Sequence, residues 1–354
     1  MSKPYMNLPL LISTLLLHLP SLIHSLPPPP PPPERCYPDD KRALLEIKAY
    51  FGNNLSDFST WSPQTDCCNK WTGVLCKKIP KTNTHRVNFL EIIQSDQIVG
   101  TIPSSLQNLP YLETLILRLL PNLTGPIPPF IGKLTNLQYL SLNWDSLSGP
   151  IPNFLSQLTN LATLSLNNNH FTGTIPSFLG HLPFLIGLDL YENHLTGTIP
   201  NTFGSFTHKT FIDLHNNHLS GSIPKSLGQV NFEILDLSGN QLTGDASFLF
   251  GEDKTDLAHL ILSRNRLSFD FSKVVMPVGE LNSSLLILDL SHNQIYGKLP
   301  DWLGEAPDLR IIDFSYNRLC GPIPTAGGGL QVFDASPFEH NLCLCGAPLP
   351  PCKS

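Results

Sequence analysis

The chain carries a repeat of about 24 residues that recurs ten times from Val87 onward. Each copy follows approximately the pattern L-x-x-L-x-L-x-x-N-x-L-[TS]-G-x-I-P. The units begin at Val87, Leu112, Leu137, Leu161, Leu185, Lys209, Phe232, Leu257, Leu285 and Leu309, at spacings of 23 to 28 residues. A single unit of this length cannot bury its own apolar side, so successive units must stack and share one core.

The unit from Leu161 to Phe184 shows how the pattern predicts local structure. Leu161, Leu164 and Leu166 alternate with polar residues. This period of two predicts a short strand with apolar side chains facing inward and polar side chains facing outward. Such a period with this leucine spacing is typical of leucine-rich repeats. The predicted fold class is α/β, a right-handed leucine-rich repeat solenoid of ten units with disulfide-stapled N- and C-terminal caps.

An asparagine follows the strand in most units, at the ninth unit position. Its amide can both donate and accept, so stacked copies can satisfy buried backbone groups where the chain turns. The members of this expected asparagine ladder are Asn169, Asn193, Asn217, Asn240, Asn265, Asn293 and Asn317. Asp96 and Asp145 take the place of asparagine near the start. We expect the ladder to be weaker in the first three units.

The sequence before the repeats predicts an export segment and an N-terminal cap. Asn7 to Leu26 is apolar and uncharged behind Lys3, which is typical of a signal peptide and less so of a membrane anchor. The predicted organisation is a signal peptide (1–25), a spacer (26–35) with seven consecutive prolines, an N-terminal cap (36–86), the solenoid (87–319) and a C-terminal cap (320–354). Asp39 or Asp40 is expected to cap a helix that runs to about Phe51.

Cysteine usage and charge also indicate a secreted protein that does not bind nucleic acid. All eight cysteines lie outside the repeat interior, at Cys36, Cys67, Cys68, Cys76, Cys320, Cys343, Cys345 and Cys352. Four at each end suit two disulfides per cap in an oxidising compartment. Sequons at Asn54, Asn122 and Asn282 are candidate glycosylation sites. Removing residues 1–25 leaves 21 basic and 28 acidic residues, a net charge of −7 that argues against a nucleic-acid partner.

Phrases outside the leucine pattern resemble the plant polygalacturonase-inhibiting proteins. They are Asp39 to Lys48, Trp61, Asp66-Cys67-Cys68, Trp71 to Val74, Cys76, Leu120 to Gly125, Gly244 to Ala246, Phe269 to Val274 and Cys343 to Pro350. The resemblance runs from about Cys36 to Cys352. It implies the family's fold and an extracellular location in the plant cell wall or apoplast. We also expect a monomer. It also implies the disulfide order Cys36–Cys67, Cys68–Cys76, Cys320–Cys343 and Cys345–Cys352.

The resemblance further implies inhibition of fungal or insect endo-polygalacturonases through the concave strand face. The residues of this chain expected on that face and proposed for partner binding are Asn143, Trp144, Asn167, Asp189, Tyr191, Glu192, Asp213, His215, Asn216 and Asp236. Asp189, Asp213 and Asp236 share the fifth unit position and should form a continuous acidic row. Exposed Trp144 and Tyr191 are the expected anchors of an interface. Aspartate at the fifth position is also common in leucine-rich repeats in general.

Other functions receive less support from the residues. His170, His194 and His218 should form a column that could sense pH or bind a metal, although a solvated edge is the commoner role. No catalytic motif is present, and no cofactor or metal is expected. Cell-wall pectin is a second candidate contact. A leucine-rich repeat interaction protein in signalling or development is the main alternative. An ice-binding protein ranks lower, because the exposed strand positions mix Trp144, Glu192 and His215 rather than repeating Thr or Asn.

Overall fold

The computed structural model describes residues 35–277 and 284–353. The expected signal peptide, the spacer up to residue 34 and the sequon at Asn282 lie outside these residues. Three α-helices, α1 (Pro38–Phe51), α2 (Cys67–Lys70) and α3 (Trp302–Glu305), occur in the described part of the chain. Short 3-10 helices span Ser56–Phe58, Ser104–Asn108, Pro129–Lys133, Asn153–Gln157, Ser177–His181, Asn201–Ser205, Lys225–Gln229, Ser247–Leu249, Phe271–Lys273, Ala326–Val332 and Ser336–Phe338. No described helix is long and apolar enough to cross a membrane.

The strands form three sheets. In chain order they are β1 (Val74–Ile79), β2 (Thr84–Ile93), β3 (Thr114–Arg118), β4 (Thr124–Gly125), β5 (Tyr139–Asn143), β6 (Ser146–Pro150), β7 (Thr163–Ser165), β8 (His170–Thr174), β9 (Gly187–Asp189), β10 (His194–Gly197), β11 (Thr210–Asp213), β12 (His218–Ser222), β13 (Phe232–Asp236), β14 (Gln241–Gly244), β15 (His259–Ile261), β16 (Arg266–Leu267), β17 (Ile287–Asp289), β18 (Tyr296–Gly297), β19 (Ile311–Asp313), β20 (Arg318–Pro322) and β21 (Cys343–Cys345). The main sheet has the order β1-β2-β3-β5-β7-β9-β11-β13-β15-β17-β19, the second sheet β16-β14-β12-β10-β8-β6-β4 and the third β18-β20-β21.

The main sheet confirms the ten predicted units. From β2 to β19, ten described strands pair in parallel, one from each unit, and β1 adds an antiparallel edge from the N-terminal cap. Equivalent residues lie side by side, as Leu164 does with Leu188. The inward-facing leucines of the main-sheet strands are buried in one continuous core. In leucine-rich repeats such a sheet lines the concave side, and we call its outward surface the concave face.

The asparagine ladder forms as predicted from Asn169 onward. Asn193 is typical: its Oδ1 accepts from the Phe171 N–H at 2.9 Å, and its Nδ2 donates to the Leu166 carbonyl at 3.0 Å. Both partners belong to the preceding unit. Each ladder amide therefore bonds one coil to the next and satisfies backbone groups that the turn would otherwise leave unpaired.

The first three units depart from this ladder, and the sequence prediction for Asp96 was wrong. Asp96 is exposed, and the ninth unit positions hold Ser95, Leu120 and Asp145. The Asp145 Oδ1 accepts from the Leu120 N–H at 2.9 Å, but its buried Oδ2 has no partner. Burial raises the pKa of Asp145 to about 8, with the Leu120 bond acting against the rise. Below about pH 8 the ninth position of the third unit therefore holds a protonated carboxyl. In later units the same position holds an asparagine amide that donates hydrogen bonds.

The N-terminal cap differs from prediction in how its helix begins. Helix α1 starts at Pro38 after Tyr37, and neither Asp39 nor Asp40 caps it. Asp40 is instead buried and accepts from Arg86 Nη2 at 2.6 Å and from the Val87 N–H at 2.8 Å. The carboxylate thus fixes the helix to the first unit rather than to its own backbone. The end of the helix at Phe51 is as predicted.

Disulfides close both caps in the order that the resemblance implied. The bonds are Cys36–Cys67, Cys68–Cys76, Cys320–Cys343 and Cys345–Cys352. Cys320 and Cys343 are also register partners of β20 and β21, so this bond covalently joins two neighbouring strands of the third sheet. The end coils, which have no further unit to cover them, are held by these bonds.

Candidate functional site

Strand register brings the predicted acidic row together. Asp189 is the register partner of Asp213, and Asp213 is the partner of Asp236. Ser165 precedes the row and Ile261 ends it. Asp289 and Asp313 form a separate pair beyond Ile261. The parallel sheet therefore holds three carboxylates in adjacent coils, as expected from their shared unit position.

His215 lies between two of these carboxylates. Its Nδ1 is 2.6 Å from Asp213 Oδ1 and 3.9 Å from Asp236 Oδ2. Burial lowers the pKa of His215, but the hydrogen bond and charge of Asp213 outweigh burial and raise it overall. The imidazole is stacked on the Tyr191 ring with centroids 4.3 Å apart. An imidazolium here neutralises part of the acidic row and fixes the tyrosine ring.

At weakly acidic pH, the acidic row carries less negative charge than three ionised aspartates would. Asp189 Oδ1 is buried without a partner, and Oδ2 accepts from Ser165 Oγ at 3.2 Å. Burial, followed by the charge of Asp213, raises the pKa of Asp189 to about 7. Burial also raises the pKa of Asp236. Below about pH 6, Asp189 is therefore protonated and the row is closer to neutral than the sequence predicted.

The other predicted contact residues fall into two groups. Trp144, Glu192 and Asn216 are exposed, and Asn216 Nδ2 donates to Glu192 Oε1 at 2.7 Å. Asn143 is partly exposed and donates to Asn167 Oδ1 at 3.1 Å. Asn167 itself is buried, which contradicts its expected place on the open surface. Its side chain instead accepts the hydrogen bond from Asn143 and helps to hold that residue in place.

Three rings and their polar partners form a ledge that the sequence only partly anticipated. Burial raises the pKa of Tyr191, and hydrogen bonds with the Asn167 and Trp144 side chains act against this rise. We call Trp144, Tyr191 and His215, which lie in coils three, five and six, the aromatic ledge. Tyr191 is half-buried within it and less free than an exposed strand residue was expected to be.

Sequence reasoning missed an apolar column beside the acidic row. The third unit position, which is polar in the Leu161 unit, holds Phe211, Ile234, Ile287 and Ile311 further along. Phe211 and Ile234 are register neighbours, as are Ile287 and Ile311. All four are at least partly exposed. The sequence signal that could have revealed this column is the large apolar residue at an outward strand position. Apolar area beside charge is typical of a protein interface.

The histidine column forms as predicted but on the second sheet, away from the acidic row. His170, His194 and His218 are exposed, and their rings stack at 5.8 and 5.9 Å. Among described residues, ligand atoms of Asp213, His215 and Asp236 also lie within 4.8 Å of one another. The hydrogen bond between Asp213 and His215 accounts for that cluster without a cation.

A preformed parallel sheet with an acidic row, an aromatic ledge and an apolar column defines a leucine-rich repeat binding protein. Family models agree, with a leucine rich repeat N-terminal domain matching residues 38–77 and leucine rich repeats matching 159–219, 210–230, 231–252 and 284–306. Polygalacturonase inhibitor 1 of Arabidopsis thaliana is 57% identical over 319 residues, covering 90% of this chain and 93% of that protein. The polygalacturonase inhibitor of Vitis vinifera is 56% identical over 321 residues, covering 90% and 92%. The chain belongs to this family of polygalacturonase inhibitors.

A solved structure of a plant ice-binding protein is also similar. Its TM-score is 0.84 at 45% identity, and the match covers 91% of this chain and 99% of that chain. Both of the curated relatives described above are named as inhibitor proteins.

Proposed function

We propose that the protein inhibits fungal or insect endo-polygalacturonases by binding them through its concave face. The observation that carries the proposal is the cluster of Asp189, Asp213, His215 and Asp236 beside Tyr191, held in place by strand register. The names of the relatives supply the target class. The sheet is shaped before binding, so little backbone order has to be gained at the interface.

The surface chemistry suits a partner with a basic rim around an apolar centre. The acidic row would steer encounter with basic side chains and select among partners, more strongly as pH rises and Asp189 ionises. The aromatic ledge and the apolar column would supply buried contact area, and aromatic residues are frequent among the dominant contributors to such interfaces. This division of roles separates association rate, set by Asp213 and Asp236, from complex lifetime, set by Tyr191 and Phe211.

The proposed setting is the plant cell wall. Four disulfides suit an oxidising extracellular compartment, and a signal peptide is proposed for residues 1–25. The protein is proposed to act as a monomer, because inhibition needs only one open concave face. Cell-wall pectin remains a second candidate contact, without a described basic row to favour it.

An enzyme panel tests the proposed function. Secreted protein would be titrated against fungal and insect endo-polygalacturonases at pH 5 to 6, with reducing-sugar release as the readout. We expect activity of at least one enzyme to fall stoichiometrically with added protein. Heat-unfolded protein at the same concentration is the control. Unchanged rates across a broad panel would favour the signalling alternative.

Ice binding is a second candidate, favoured by one feature of the second sheet. Exposed or partly exposed hydroxyl side chains recur in successive coils of this sheet, at Thr124, Ser148, Thr172, Thr196, Ser220 and Thr243, although strand register does not pair them directly with one another. The lower rank given to ice binding from the sequence considered only the mixed concave positions and did not include these residues. Inhibition of ice recrystallisation by the wild type, lost in Thr196→Lys, would support it. Equal recrystallisation with and without protein would exclude it.

A further inference from the structure

A cleft lies at the N-terminal end of the solenoid, apart from the acidic row. It has a volume of about 480 Å³ and is lined by Gln94, Ser95, Asp96, Leu119, Pro121 and Trp144. Gln94, Leu119 and Trp144 occupy the eighth position of the first three units, each with left-handed backbone at φ 56°, 58° and 59°. The cleft is therefore formed by equivalent corners of three neighbouring coils.

The cleft coincides with the break in the asparagine ladder. Ser95, Leu120 and Asp145 replace asparagine at the ninth position of these units. The first two units also carry one more residue than the next three, between the ninth position and the following buried apolar residue. Backbone hydrogen bonds still join these corners, as Ser95 N–H donates to the Leu119 carbonyl at 3.2 Å. The cleft lies where the corners have this different length and composition.

The lining has the composition of a neutral saccharide site. The indole of Trp144, with Leu119 and Pro121, offers an apolar surface, and Gln94 and Asp96 offer hydrogen-bonding groups. A pyranose ring has apolar C–H faces and hydroxyl edges, so it can use both. The Asp96 carboxylate disfavours an acidic sugar such as galacturonate. The cleft therefore suits an uncharged sugar rather than pectin.

The Asn122 sequon places a sugar-attachment atom at the wall of this cleft. Asn122 is exposed, and its Nδ2 donates to the Asp96 carbonyl at 2.7 Å. Asp96 and the neighbouring Pro121 both line the cleft. Glycosylation replaces one of the two Nδ2 hydrogens, so the other can keep this bond. A sugar on Asn122 would then be held beside the recess rather than projecting freely.

We propose that Asn122 is glycosylated and that the first N-acetylglucosamine of its glycan packs in the cleft against Trp144. The inference rests on the proposed secretion, since only exported chains receive this modification. The glycan covers the N-terminal end of the aromatic ledge. It thereby sets a limit to the surface open to an enzyme, leaving Tyr191 and the acidic row free.

Tryptophan fluorescence tests the packing without any enzyme. Of the four tryptophans, Trp61, Trp71 and Trp302 are buried, whereas Trp144 is 49% exposed. Acrylamide quenching therefore reports mainly on Trp144. The protein would be secreted from plant cells and trimmed to a single N-acetylglucosamine, and glycopeptides would be analysed by mass spectrometry. Asn122→Gln removes the sugar under test, and Asn54→Gln is the matched control on the N-terminal cap.

We expect Asn122 to be occupied and quenching to rise roughly twofold or more in Asn122→Gln, since a seated sugar covers most of the accessible indole. Asn54→Gln should quench like the wild type. An unmodified Asn122 in secreted protein would overturn the inference. So would an occupied Asn122 whose removal leaves quenching unchanged. Either result is independent of whether any polygalacturonase is inhibited.

Discussion

At the scale of single residues, side-chain packing between coils changes the charge expected of the aspartates. The sequence placed Asp189, Asp213 and Asp236 correctly in one row, because unit position determines register. It did not show that Asp189 takes up a proton through burial, or that His215 lies against Asp213. Both effects depend on side-chain packing across coils, which a repeat pattern does not encode. The buried Asn167 was misjudged for the same reason.

Asp213→Asn should slow enzyme association, and the effect should depend on pH. At pH 5 the raised pKa of His215 keeps the imidazole charged, so Asp213 and His215 nearly cancel. As pH rises toward and above this raised pKa, the imidazole loses its charge, and the substitution then removes a negative charge that is less compensated. We therefore expect a larger loss of association rate at pH 7.5 than at pH 5, which shrinks as salt rises.

Asp289→Asn is the matched control for this prediction, because Asp289 has the same unit position without a histidine partner. Its effect on association, measured by surface plasmon resonance, should be similar at both pH values. If Asp213→Asn shows the same rate ratio at pH 5 and pH 7.5, the Asp213–His215 pair does not set the charge of the row.

At the scale of structural elements, the ladder and the caps were largely predictable from spacing. Ninth-position asparagines and cap cysteines occur at fixed places in the sequence, and the structure confirms their roles from Asn169 onward. The first three corners were not predictable in detail. One extra residue after the ninth position places Asp96 two residues before the buried Ile98, where later units have asparagine, so Asp96 was misassigned. Helix α1 begins at Pro38, before both aspartates that were expected to cap it, and Asp40 bonds to Arg86 instead.

Asp145→Asn should stabilise the solenoid at neutral pH but hardly at pH 4. The folded-state pKa of about 8 lies above the ordinary value of 3.8, so folding takes up a proton between these values. The stabilisation is therefore complete below pH 4 and is lost as pH rises through 8. The loss approaches about 1.4 kcal/mol per pH unit for one proton.

Thermal melting at pH 4, 6 and 8 checks this prediction. The wild type should lose more stability with pH than Asp145→Asn, whose amide restores the missing donor. Asn169→Asp in the next ladder position is the reciprocal control and should gain the pH dependence. Parallel melting curves for wild type and Asp145→Asn across this range would mean that Asp145 is not protonated in the folded protein.

Loss of the Cys320–Cys343 disulfide should destabilise the C-terminal coils. Removing a native disulfide from a small secreted domain typically costs ~2–5 kcal/mol. This bond spans 23 residues and joins β20 to β21, whereas Cys345–Cys352 spans only 7. The double alanine variant at 320 and 343 should therefore melt lower, or be secreted less, than the one at 345 and 352. Equal melting and yield for the two variants would contradict this assignment of roles.

At the scale of the whole molecule, the repeat determines architecture and leaves recognition to variable outward positions. The ten units, the parallel sheet and the stapled caps followed from periodicity, because every coil must cover its neighbour. The second sheet, the apolar column and the N-terminal cleft did not follow, since they depend on which outward side chains meet after stacking. Function therefore resides in differences between units, whereas the fold resides in their similarity.

Binding kinetics of face-specific variants test the central claim that the concave face binds the enzyme. The variants are Tyr191→Ala on that face and Thr196→Ala on the second sheet, each measured against an enzyme that the wild type inhibits. Truncating an interface anchor often costs ~2 kcal/mol or more, about thirtyfold in affinity. We expect such a loss for Tyr191→Ala, mostly through faster dissociation, and wild-type binding for Thr196→Ala. Wild-type affinity for folded Tyr191→Ala, together with weaker binding by Thr196→Ala, would contradict the concave site.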